Sequence, residues 1–176
     1  MPSEPRKKPP TAVERLIERF ALEPHPEGGY YREVYRASQT LRHPGVPPDV
    51  PAERAAGSLI YYLLLEGQCS AFHRVRWSDE IWHLYAGGPL ELHTIDADGR
   101  HACKVLTVDL EHGEPTALVP AGTWQAARPL GGAEFVFGGC TVAPGFDFAD
   151  FEMPRRDVLL ARYPEHAAIV RALTRD

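Results

Sequence analysis

The stretch Gly67-Gln-Cys-Ser-Ala-Phe-His73-Arg-Val75-Arg-Trp-Ser-Asp-Glu80-Ile-Trp-His83-Leu-Tyr-Ala-Gly87 decides how this chain folds. Ser70 to Trp77 and Glu80 to Tyr85 read as two short strands joined by a tight turn, with glycines at their outer ends. In a strand, side chains two apart point the same way. Ala71, His73 and Val75 therefore share one face, and Glu80, Trp82 and Leu84 share a face of the next strand. His83 lies three residues from Glu80, so parity puts it on the other face, between sheets or at a contact between copies, and only a bulge would bring it inward beside Glu80.

The same texture extends outward in both directions. Runs rich in aromatic and β-branched residues occupy Tyr30 to Arg36, Ser58 to Leu65, Leu90 to Asp96 and His101 to Asp109. Others follow at Thr116 to Val119, Thr123 to Ala127 and Glu134 to Val142. Asp98-Gly99 is a hairpin signal, because glycine accepts the positive φ of such turns. Short strands at this spacing predict an all-β sandwich, jelly roll or barrel. A βαβ fold needs a helix between consecutive strands, and the sequence offers none there.

Helices are expected only at the two ends. Thr11-Ala-Val-Glu14 is a capping box, and Val13, Leu16, Ile17 and Phe20 recur at helical spacing until Pro24. Pro154 to Thr174 returns to helix, with Pro164 opening a second short piece. Ser38 to Ala56 carries Pro44, Pro47, Pro48 and Pro51 without periodicity and reads as a long loop. Residues 1–10 read as a disordered tail, and 11–176 as a single domain.

Bulk properties narrow the function. A chain of 176 residues with 44% hydrophobic content suits one domain with a sizeable core. A formal net charge of −5 provides no broad basic surface, which argues against nucleic acid. No apolar run resembles a signal peptide or membrane span. Cys69, Cys103 and Cys140 are odd in number and widely spaced, which suits free thiols in the cytoplasm.

Gly67, His73, Glu80 and Gly87 resemble the first motif of the cupin superfamily. Gly113, Pro120, Ala121, Gly122 and Gln125 resemble the second, with Gln125 where its histidine stands. His25-Pro-Glu-Gly-Gly-Tyr-Tyr-Arg-Glu33, Pro120-Ala-Gly-Thr-Trp-Gln-Ala-Ala127 and Gly139-Cys-Thr-Val-Ala-Pro-Gly-Phe-Asp-Phe148 extend the likeness to a group of small single-domain cupins of bacteria and fungi. That group is similar in fold to dTDP-4-dehydrorhamnose 3,5-epimerases and plant storage cupins. The resemblance implies a cupin jelly-roll β-barrel with short flanking helices, a homodimer, and a small-molecule pocket with His73 turned inward beside Glu80.

Metal-binding cupins use three histidines and a glutamate, a set suited to iron, nickel, manganese or zinc. Here Val75 and Gln125 replace two of the histidines, leaving His73, Glu80 and Gln125 as a weak set, so no cofactor is firmly implied. With the set broken, His73 and Glu80 become candidate catalytic groups, an imidazole and a carboxylate able to move a proton. Arg32, Trp82, Trp124 and Gln125 are the candidate ligand-binding residues, Arg32 for an anionic group and the indoles as stacking floor. Asp147 and Asp150 read as solvated beside anchoring phenylalanines. Three functions follow: an epimerase or isomerase working by proton transfer, a metal-dependent dioxygenase or lyase, and a non-catalytic binding module.

Overall fold

A computed structural model describes residues 11–42, 46–47 and 52–175. The expected tail 1–10 and much of the proline-rich segment lie outside these residues. Helix α1 (Ala12–Phe20) begins with the anticipated box: Glu14 N–H donates to Thr11 Oγ1 at 3.1 Å, and Thr11 N–H donates to Glu14 Oε2 at 2.7 Å. It stops at Ala21, which takes a left-handed φ of 49° and returns its N–H to the last turn, before Pro24 is reached.

The strands are β1 (Glu23–Pro24), β2 (Tyr30–Arg36), β3 (Thr40–Arg42), β4 (Glu53–Ala55), β5 (Ser58–Leu65), β6 (Ser70–Val75) and β7 (Asp79–Gly87). They continue with β8 (Leu90–Ile95), β9 (His101–Leu106), β10 (Thr116–Val119), β11 (Trp124–Pro129), β12 (Phe135–Ala143) and β13 (Phe151–Glu152). Helices α2 (Arg156–Arg162) and α3 (Ala167–Ala172) close the described chain.

One sheet runs β1-β2-β5-β12-β7-β10 and the other β13-β6-β11-β8-β9. The jelly-roll expectation holds, but as a sandwich instead of a closed barrel. Between β9 and the residues before β10 there is only an isolated bridge, Leu106 to Glu114, so that seam stays open. The proline-rich segment is not wholly loop: β3 and β4 pair antiparallel, Thr40 opposite Ala55.

Alternation sorts the side chains into three layers. Tyr62, Leu64, Trp82, Leu84, Leu90, Leu92, Leu106 and Val136 fill the space between the sheets. On the outside of the first sheet, Leu16, Ile17 and Phe20 of α1 pack on Tyr61, Leu63 and Phe137. On the outside of the second, Phe72, Ile95, Trp124 and Ala126 meet Leu159, Val170 and Leu173 of the C-terminal helical segment. The inter-sheet core fills one end of the sandwich, which leaves the other end open.

Candidate functional site

That open end holds a cavity of about 570 Å³. Its wall includes His25, Glu27, His73, Val75 and Glu80, with Tyr31, Phe146 and Phe151 among the aromatic residues. His73 comes from β6 and shares a face with Ala71 and Val75, as parity predicts, and that face is the inner one the cupin resemblance implies. Its register partner on β11 is Gln125, which also points in.

Glu27 is the carboxylate within ion-pair reach of His73, its Oε2 lying 3.2 Å from Nδ1. Nδ1 also stands 2.8 Å from the Ala71 carbonyl oxygen, to which it donates. Glu80, expected beside His73, does share the cavity, but the carboxylate that holds Nδ1 is Glu27. With that nitrogen engaged, Nε2 is the one left for the cavity's contents.

Glu27 is placed by the turn that follows it. Gly28 and Gly29 take φ of 123° and 69°, and a Cβ on either would fall 2.1 Å from the Cys69 oxygen or 2.5 Å from the Leu63 oxygen. Only glycines let this segment lie so close to β5 and β6. The Glu27 carbonyl then accepts from Ala71 N–H at 2.9 Å, and Ser70 Oγ donates to Glu27 Oε1 at 2.9 Å. His25 joins the group, its Nδ1 3.7 Å from Glu27 Oε2 and its ring edge-on to Tyr31 and Tyr62. Burial lowers the His25 pKa, with the Glu27 charge pulling back.

Glu80 is held by a different chain of bonds. Trp82 Nε1–H donates to Gln125 Oε1 at 2.7 Å, and Gln125 Nε2–H donates to Glu80 Oε2 at 2.6 Å. Burial raises the Glu80 pKa, and the charge of His73 opposes that rise. The site thus combines an imidazole backed by one carboxylate with a second carboxyl biased toward its protonated form.

The metal ligand set fails on this geometry. Gln125 Oε1 is already held by the Trp82 indole N–H and its Nε2–H is directed at Glu80, and Val75 has no donor atom. Among the described residues, the groupings of ligating atoms close enough to share an ion lie outside this cavity. The residues here do not fit a resident transition metal.

The other expected ligand-binding residues divide. Arg32 stands at the exposed edge of the cavity wall. Trp82 is buried in the inter-sheet core beneath Gln125 and reaches the site only through that amide. Trp124 is turned outward into the packing against the C-terminal helices, with the Arg74 guanidinium 4.3 Å above its ring. It neighbours Gln125 in sequence, so a strand cannot bring both inward. His83 faces outward as expected, 2.9 Å from Thr141 Oγ1.

The reading of Asp150 as solvated is corrected. Both its oxygens accept from Arg54, at 2.7 and 2.8 Å, in a pair with almost no exposure. This pair ties β4 to the segment after β12, beside the cavity. Its neighbour Asp147 remains half-exposed at the cavity mouth.

Comparisons with known proteins agree with this architecture. The family model described as Cupin superfamily (DUF985) matches residues 14–154. An uncharacterised protein of Saccharomyces cerevisiae is 30% identical over 156 residues, covering 83% of this chain and 77% of that protein. A hypothetical protein from Leishmania major superposes with a TM-score of 0.84 at 31% identity, over 94% of this chain and 100% of its own. A Shewanella oneidensis protein gives 0.80 at 38% identity, over 93% and 97%. Oxalate decarboxylase of Bacillus subtilis, at a TM-score of 0.53 and 16% identity over 89% of this chain and 38% of its own, shares the fold alone.

Proposed function

The chain belongs to the cupin superfamily, in its DUF985 family, and from that premise we propose that it is an isomerase- or epimerase-like enzyme moving a proton on a small polar carbonyl compound. The single observation that carries this reading is the paired arrangement at the cavity. His73 is backed by Glu27 at 3.2 Å, and Glu80, its pKa raised by burial, lines the same wall.

In this reading His73 Nε2 removes a proton from the carbon beside the carbonyl, and the C–H electron pair moves into the enol. Glu80 supplies a proton to the carbonyl oxygen. Return of that proton from His73 to the neighbouring carbon of the enediol, with the neighbouring hydroxyl giving its proton to Glu80, yields the isomer and restores both groups without a redox partner. Glu27 stabilises the imidazolium formed midway. A cavity of about 570 Å³ falls within the range of small-molecule sites, and Arg32 at its edge suits an anionic group such as a phosphate.

A cytoplasmic homodimer completes the proposal. Cys69, Cys103 and Cys140 are all free thiols. Tyr85 and Leu118, 45% and 60% exposed, lie on the first sheet beyond the cover of α1, an apolar face that a second copy would bury. Light scattering at micromolar concentration should give twice the 19.6 kDa chain mass; a monomer mass throughout would remove the pairing.

The chemical test is incubation in D2O with a panel of ketoses, their phosphates and 4-keto sugar nucleotides, followed by NMR. Deuterium should enter beside the carbonyl of at least one compound, and His73→Asn should abolish it. Ligand binding without exchange in the parent protein would make the cavity a binding module and end the catalytic reading.

A further inference from the structure

Away from the cavity, on the outer face of the second sheet, three side chains of different chemistry converge. Glu91 and His93 lie two apart on β8 and so share a face, and Cys103 on β9 is the register partner of His93. One ligating atom from each lies within 4.8 Å of the others. His93 Nε2 is 3.5 Å from Glu91 Oε2 and 3.9 Å from Cys103 Sγ. None of the three lines the cavity.

These separations are long for hydrogen bonds, since an N–H to carboxylate contact is closer to about 2.9 Å. They are near the donor-to-donor edges of a tetrahedral zinc site, about 3.3 to 3.6 Å for bonds of roughly 2.0 Å to nitrogen or oxygen and 2.3 Å to sulfur. The surroundings are those of a supported ligand. His93 Nδ1 lies 3.1 Å from His101 Nε2, and donation along that contact leaves the Nε2 lone pair facing Glu91 and Cys103. Arg128 Nε–H donates to Glu91 Oε2 at 2.7 Å and fixes the carboxylate.

We infer that Glu91, His93 and Cys103 form a binding site for a zinc-class divalent ion, with His101 and Arg128 as positioning residues. The donors are one imidazole nitrogen, one thiolate and one carboxylate oxygen, a mixture that suits zinc better than magnesium or calcium. Binding converts the Cys103 thiol to thiolate and releases its proton to solvent. Three protein donors leave the ion's fourth position to water, and the exposure of Cys103 gives it access. This site is independent of the proposed reaction and stands if that reading fails.

The test uses the full chain stripped with EDTA and desalted, then titrated with zinc against a chromophoric chelator. One zinc per chain should bind, and Cys103→Ser should weaken it at least tenfold. His101→Gln should weaken it by about tenfold through loss of the supporting contact. The cavity variant His73→Asn should bind as the parent does. Cobalt(II) in place of zinc should give a thiolate charge-transfer band that disappears in Cys103→Ser. No stoichiometric zinc at micromolar concentration, or zinc kept in Cys103→Ser and lost in His73→Asn, overturns the site. Should Cys103→Ser not fold, alkylation of Cys103 in the unmodified chain, followed by peptide mass, decides. Zinc should slow it about tenfold, and an unchanged rate overturns the inference.

Discussion

Oε2 of Glu27 lies 3.2 Å from Nδ1 of His73, although one residue sits in a turn before β2 and the other in the middle of β6. Both are almost fully buried, at 5% and 2% exposure. The contact gives the ring a fixed orientation and a nearby negative charge, two things a proton-transferring imidazole needs.

Glu27→Gln keeps the bulk and the Ser70 contact but removes that charge. Under the proposed chemistry, turnover should fall about 10²-fold, the scale on which misplacement of a catalytic group acts. KM should change little, because the loss falls on the charged intermediate. Steady-state kinetics on whichever compound exchanges deuterium reads this directly. An equal loss in KM, or no loss at all, would mean that Glu27 only anchors the turn.

Glu80 yields a prediction about stability against pH. Burial raises its pKa above the ordinary 4.5. A carboxyl whose folded value exceeds its unfolded one takes up a proton on folding. Its stabilising contribution is therefore fully present below the ordinary value and fades as pH climbs through the raised one. Glu80→Gln can still accept from Gln125 but never ionises. The variant should thus lose activity, unfold no lower than the parent at pH 8, and show a flatter dependence of Tm between pH 4.5 and 8. A large drop in Tm at pH 8 would show that the ionised carboxylate stabilises the fold.

How much of this was legible in the sequence depends on how local the contacts are. The runs Tyr30–Arg36, Ser58–Leu65 and Thr116–Val119 are strands with the expected limits, since each is bounded by turn residues or a change in composition. The inward direction of His73, Glu80 and Gln125 is what the cupin resemblance implied, and parity extends it to their same-face neighbours. That same parity excluded Trp124 from the cavity once Gln125 was placed inside, and the assignment of both to the site overlooked it. Glu27 and His25 were missed because their approach to His73 is a tertiary contact. Its one sequence signal was a carboxylate followed by two glycines, a turn with a fixed side-chain direction. Asp150 was missed because its partner Arg54 belongs to the segment that showed no periodicity.

The Arg54–Asp150 pair should be costly to break. Arg54 Nε–H and Nη2–H donate to both oxygens of a carboxylate with no exposure. Asp150→Asn removes the carboxylate held by both guanidinium nitrogens and leaves Arg54 only the half-exposed Asp147 at 4.0 Å among the ion pairs described, a change worth up to about 3–5 kcal/mol. Urea denaturation should show that loss, while replacement of both residues by apolar ones of similar volume should recover much of it. A cost below about 1 kcal/mol would place the pair in the class of weak exposed ion pairs.

Gln125 ties Glu80 to Trp82 in the inter-sheet core, and its replacement tests whether that bridge is needed. Its oxygen accepts the Trp82 indole N–H and its nitrogen donates to Glu80, all three side chains being buried. Gln125→Leu fills similar space and removes both partners at once. Trp82 then keeps an unpaired N–H and Glu80 an unsupported carboxylate, at about 1–3 kcal/mol each. Loss of the donated bond also makes ionisation of Glu80 harder, so its pKa should move further upward. Gln125→His is a sharper companion. With Val75→His it supplies the imidazoles that the common cupin ligand set has and this cavity lacks. Stripped of metal, the double variant should be less stable than the parent, because a ring at position 125 cannot donate to Glu80 and accept from Trp82 with the amide's geometry. Iron, nickel, manganese or zinc should then restore part of the loss, by mass action on the folded state. Melting with and without each ion, in a Cys103→Ser background to silence the outer cluster, measures the difference. If the parent cavity gains as much from these ions as the double variant, the Gln125 bridge does not keep metal out, and the metal-free reading of the cavity fails.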